Sequence, residues 1–89
     1  MNNVRRKQLK DAKQNIQVAE NCLRTAYEII DNTKSDEEDS FDNLSEGLQQ
    51  TMRGEQMEEN VDTMQEALDK LDEILNCFEE VVDYLNDVM

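Results

Sequence analysis

Histidine is absent from this chain, glycine and cysteine occur twice each, and basic residues number 9 against 22 acidic ones. Each scarcity removes a class of function. Without histidine no side chain has an ordinary pKa near neutrality for proton transfer, and neither cysteine has an obvious base to make it a nucleophile. Two glycines cannot build a phosphate-cradling loop. The residues point away from an enzyme and call for no cofactor. Long apolar runs are missing as well. The start, MNNVRRKQLKDAKQN, has nothing like the core of a signal peptide, so no membrane association and a cytoplasmic location are expected.

The shortage of cations leaves a net charge of −13 on 89 residues. Such a chain repels nucleic acid and anionic membranes and is attracted to basic protein surfaces, so direct nucleic-acid binding is not expected. At this length one small domain is the limit, with little room for an internal cavity.

What is present is periodicity. Met57, Val61, Met64, Leu68, Leu71, Leu75, Phe78, Val82, Leu85 and Met89 recur at alternating gaps of four and three, the seam of a long helix over about residues 55–88. A first helix over about 3–33 starts at an Asn2 or Asn3 cap and carries the seam Leu9, Ala12, Ile16, Ala19, Leu23, Ala26 and Ile30. Its alanine column admits a close partner backbone or a bulky facing side chain. The polar stretch Asn32-Thr33-Lys34-Ser35 ends it. Ser35-Asp36-Glu37-Glu38 has the form of a capping box, and Phe41, Leu44, Leu48 and Met52 supply a short apolar stripe, so a short helix is expected over about 36–52. Gly47 weakens that helix and Gly54 stops it, with Arg53-Gly54-Glu55 as a hinge.

The two long helices are similar in length, as in an all-α antiparallel hairpin. Residues 1–30 carry six basic and three acidic groups, and residues 31–89 three basic and nineteen acidic. Antiparallel packing sets the basic start beside Glu79, Glu80, Asp83 and Asp87. In that hairpin Cys22 and Cys77 fall about 15 Å out of register, beyond disulfide reach, which leaves two reduced, partly buried thiols.

The last turns of helix three are apolar on more than one stripe, because Ile74, Cys77, Val81, Tyr84 and Val88 flank the seam residues Phe78 and Leu85. Two helices cannot cover so wide a face. It implies self-association through Ile74, Phe78, Val81, Tyr84, Leu85 and Val88, most simply a homodimer forming a four-helix bundle. The alternative is that the short helix folds back over it.

Residues 37–75, from Glu37-Glu38 through Phe41-Asp42-Asn43-Leu44-Ser45-Glu46-Gly47-Leu48-Gln49-Gln50 and Arg53-Gly54-Glu55-Gln56-Met57-Glu58-Glu59 into the heptads, resemble a family of small helical proteins. Those proteins are encoded by bacteriophages and other mobile elements, mostly of gut bacteria, and share an Asn-Leu-Pro-Glu-Ser-Leu-Gln block followed by Gly-Glu-x-Met-Glu-Glu. Here Ser45 replaces the usual proline and Gly47 the serine. The resemblance implies a mobile-element setting and a helical hairpin, and the family carries no settled activity.

Metal chemistry finds little support. Glu58 with Asp62, and Glu66 with Lys70, lie at i,i+4 on an exposed face, whereas di-metal bundles turn carboxylates inward with histidine partners. Asp36-Glu37-Glu38-Asp39 with Asp42 lacks the alternating ligands, central glycine and terminal glutamate of a calcium loop. The five methionines serve either as an adaptable binding surface or, at seam positions, as core filling. Helix three bears twelve carboxylates, among them Glu55, Glu58, Glu59, Asp62, Glu66, Asp69, Asp72 and Glu73. That is one charge per about 4 Å, near the 3.4 Å phosphate spacing of one DNA strand. Two readings follow from it. Either the stripe engages and inhibits a basic, nucleic-acid-handling partner such as a host defence nuclease, with nucleic-acid mimicry as one route, or it is a solvated face and the protein works structurally through its own assembly.

Overall fold

Asn2, Ser45 and Thr51 set where the helices begin. Each side-chain oxygen accepts a hydrogen bond from the backbone N–H three residues on, at Arg5 (2.8 Å), Leu48 (3.4 Å) and Gly54 (3.4 Å), which satisfies a donor that a helix start leaves orphaned. A computed structural model describes residues 1–89 as α1 (Asn3–Asp42), α2 (Glu46–Gln49) and α3 (Met52–Val88), with no strand. α1 and α3 lie antiparallel in an all-α hairpin with principal extents of 69 × 15 × 13 Å. Lys34 Nζ donates to Gln65 Oε1 at 2.6 Å and Arg24 meets Glu79 at 3.5 Å, so numbers rise along one helix as they fall along the other.

α1 does not stop at residue 33. Polar residues are not helix breakers, and nothing between Asn32 and Asp42 forbids helical backbone. Lys34 pairs with Glu38 one turn on, and Phe41 closes the apolar edge, half-buried. Ser35 is therefore inside α1 and starts no capping box. The expected apolar stripe disperses too: Phe41 belongs to α1, Leu48 is exposed in a four-residue α2, and Met52, at 86% exposure, opens α3.

The longer α1 moves the bend to residues 43–51 and shifts the register. Met89 comes level with Lys10, Asp11 and Gln14, so the first two turns of α1 project beyond the end of α3. Arg5, Arg6, Lys7 and Lys10 consequently form no ion pair with Glu79, Glu80, Asp83 or Asp87; Arg24–Glu79 is the one pair joining the helices. Carrying the Lys34–Gln65 register twelve residues along each helix sets Cys22 level with Cys77, not 15 Å out of step. Both thiols are free and exposed rather than partly buried.

The core is a thin line. Leu68 and Leu75 are 1% and 7% exposed and are the only buried apolar residues. Each contributes on the order of 1.5–3 kcal/mol. Met57, Val61, Met64, Leu71, Phe78, Val82 and Leu85 line the same edge of α3, half-buried. On α1, Leu9, Ile16, Leu23 and Ile30 face them, but the second column is Lys13, Glu20, Tyr27 and Lys34. Long amphipathic side chains lay their stems across the seam while their polar ends reach water. A single alanine methyl does not reach so far, and Ala12 and Ala19 are exposed, with Ala26 half-covered.

α1 is also charged against its own dipole. It has no acid in its first turn and no base in its last, where Asp39 and Asp42 sit instead, while Arg5 and Arg6 stand at its start. Each misplaced charge costs about 0.3–1 kcal/mol.

At the bend, Gln49 Nε2 donates to the carbonyls of Phe41 (3.2 Å) and Leu44 (3.1 Å), holding the end of α1 and α2 together. Gly54 lies in the first turn of α3, with no positive φ, rather than ending the preceding helix. Its role is close approach, since a Cβ there would overlap the backbone of Gln49. Nothing stands near a Cβ at Gly47. Gly54→Ala should therefore lower stability by about 1–3 kcal/mol, whereas Gly47→Ala should leave it unchanged or raise it by up to about 1 kcal/mol. Urea unfolding followed by helical circular dichroism reads both, and equal effects at the two sites would contradict this account of the bend.

Candidate protein-interaction surfaces

A two-helix hairpin has two flanks, and here they differ in kind. On the heptad that puts Leu68 and Leu75 at the seam, the twelve α3 carboxylates occupy three adjacent columns. Glu58, Asp72 and Glu79 lie nearest α1; Glu55, Asp62, Asp69 and Asp83 come next; Glu59, Glu66, Glu73, Glu80 and Asp87 are outermost. All twelve are exposed, and the stripe runs for about 48 Å. The eight acidic residues expected from the sequence to contact a partner thus fall on one continuous surface. Two of the twelve have a cation in reach: Arg24 touches Glu79, and Lys70 meets Glu73 at 3.3 Å. No group of three carboxylates or thiols converges on a point where a metal ion would sit.

Where the acidic flank meets α1, its field is felt by two groups. Arg24 donates to Glu20 at 2.7 Å, and that bond, more than Glu79, holds its guanidinium pKa above the usual value. Tyr27 lies beside Asp72. That carboxylate, followed by desolvation and by Asp31 and Asp69, pushes the phenol above its ordinary 10.0 against a smaller opposing pull from Lys34.

The opposite flank carries almost no charge. Ile29, Ile30 and Thr33 of α1 line one shallow apolar groove with Thr63, Met64 and Ala67 of α3, which fixes these columns on the same side of the hairpin. Continuing them brings Ala12, Ala19, Ala26 and Cys22 of α1 alongside Ile74, Val81, Val88, Cys77 and Tyr84 of α3, with Lys70 among them and Glu37, Glu59 and Glu73 at the rims of its grooves. Tyr84 is 70% and Val88 50% exposed, and Ile74 and Val81 are nearly as open. Phe78 and Leu85 belong to the seam and show one edge; Phe78 closes a groove with Ile74, Cys77 and Val81, and Glu73 stands at its rim. α2 does not cover this surface, because it packs against the start of α3, at the far end of the hairpin. Sequence reasoning found the α3 half of the flank and missed the α1 half. The signal was there, in Cys22 and Ile29 one heptad apart beside the alanine column.

No known protein family, curated protein or solved structure matches the chain.

The Tyr27 environment supplies a direct test of the acidic flank. In a Tyr84→Phe background, the phenolate absorbance of Tyr27 should appear at higher pH than in free tyrosine, and Asp72→Asn should move it back down. The folded state holds this proton more tightly than the unfolded one. The resulting stability is intact below the unfolded value of 10.0 and is lost as pH rises through the folded value. An unshifted titration in the Asp72 protein would mean that the two helices do not place these groups together.

Proposed function

We propose that the protein is a non-enzymatic binding module of phage or mobile-element origin whose acidic flank docks on a basic, nucleic-acid-handling protein and blocks it. The single observation that carries this reading is the one-sided placement of the α3 carboxylates, all exposed and only two of them near a cation. An acidic surface made for solubility alone has no reason to gather its charges into three adjacent columns. At one charge per about 4 Å the stripe approaches the phosphate spacing of a nucleic-acid strand, so a groove shaped for nucleic acid would accept it. The mobile-element setting rests on the resemblance of residues 37–75 to that family. The protein is further proposed to act as a homodimer, and a second reading, in which assembly is itself the function, is favoured by the uncovered apolar flank.

The two readings separate by mutation. With the protein immobilised and a bacterial lysate passed over it, captured protein should elute as salt rises, because the screening length shrinks from about 10 Å at 0.1 M to about 3 Å at 1 M. Duplex DNA should compete for the captured protein. The combined variant Glu58→Gln, Asp62→Asn, Glu66→Gln and Asp69→Asn should lose capture while keeping its helical spectrum. Undiminished capture by that folded variant would reject the docking surface and leave assembly through the apolar flank.

A further inference from the structure

The uncharged flank needs an occupant, and three features of the chain converge on a second copy in one specific arrangement. The first is charge. On a protein of net charge −13, this is the long surface with the fewest carboxylates to bring together, Glu73 standing at the rim of its α3 groove and Glu37 and Glu59 near the bend. A basic partner would gain nothing there.

The second is a coincidence of centres. The midpoint of α1 falls between Cys22 and Leu23, and the midpoint of the apolar stretch from Ala67 to Val88 falls between Cys77 and Phe78. The Lys34–Gln65 register places those two midpoints within one residue, about 1.5 Å, of the same height along the hairpin. A two-fold axis crossing the helices there lays α1 antiparallel on its copy along its whole length. The same axis overlaps α3 with its own copy over the apolar stretch alone, and leaves the acidic first turns of α3 outside the contact.

The third is the reversed charge of α1. With five cations between Arg5 and Lys13 and five carboxylates between Asp36 and Asp42, α1 opposes its own dipole. Antiparallel on a copy, its projecting basic turns come level with the acidic end of the other α1. The overhang that no residue of α3 answers is then answered. The flank averages about 45 Å in length by 15 Å in width, or about 700 Å² per chain, against about 800 Å² in a standard stable interface.

We infer that two hairpins pair through the flank of Ala19, Cys22, Ile29, Ile74, Val81 and Val88, as a four-helix bundle with the bends at opposite ends. This deepens the proposed self-association and is independent of the acidic docking surface. Its geometry sets like cysteines across the axis, Cys22 toward Cys22 and Cys77 toward Cys77. Bends at the same end would instead set Cys22 against Cys77 of the partner subunit.

Light scattering on wild type, Cys22→Ser, Cys77→Ser and the double variant, combined with a short bis-maleimide crosslinker, tests it. All four proteins should show twice the 10.4 kDa chain mass, and each single variant should crosslink to dimer while the double variant does not. Val81→Glu should give the monomer mass with the helical spectrum retained. A monomer mass for wild type would overturn self-association altogether. A dimer mass in which only wild type crosslinks, or in which no protein does, would keep self-association and overturn this arrangement.

Discussion

Two helices packed side by side share one line of contact, and everything else about this molecule follows from how little that line can bury. Leu68 and Leu75 are enclosed; the remaining seam residues keep an edge in water. With so thin a core, nearly every side chain keeps some contact with water. That constraint gives the distribution of side chains around α3 its meaning, since each column faces the seam, one flank or open solvent.

The flanks divide the remaining work. One gathers carboxylates and the other keeps them to its rims, at Glu37, Glu59 and Glu73. Mutual repulsion along the acidic side is a standing cost, as is the reversed polarity of α1. Neither is relieved within a single hairpin, where one weak ion pair spans the helices at 3.5 Å. On the proposed reading a basic partner relieves the first and a second copy the second.

Much of this was legible in the residues. The α3 seam is read correctly because its buried column is Leu, Met, Val and Phe throughout, and spacing alone identifies a face when every member is apolar. The second column of α1 escapes the same test, because Lys13, Glu20, Tyr27 and Lys34 look like surface until their stems are seen lying across the seam. The end of α1 is hidden in the sequence for a related reason. A polar stretch resembles a loop by composition, yet only the bend itself, held by Gln49 and the close approach at Gly54, decides where the chain turns. That one displacement carries the register with it, and so sets the positions of the basic turns and the cysteines. The acidic surface was visible as charge, but its confinement to one side required the seam to be fixed first.

The clasp that Gln49 makes on the carbonyls of Phe41 and Leu44 has a kinetic consequence. It joins residues eight and five positions apart, so it closes at small entropic cost, long before the distant ends of the rods can find one another. Folding should then run like a zipper from the turn outward, each heptad shortening the loop that the next must close. Low contact order of this kind favours microsecond to millisecond folding. It also makes the free ends the last to close and the first to fray, at the very place where the oily flank lies bare.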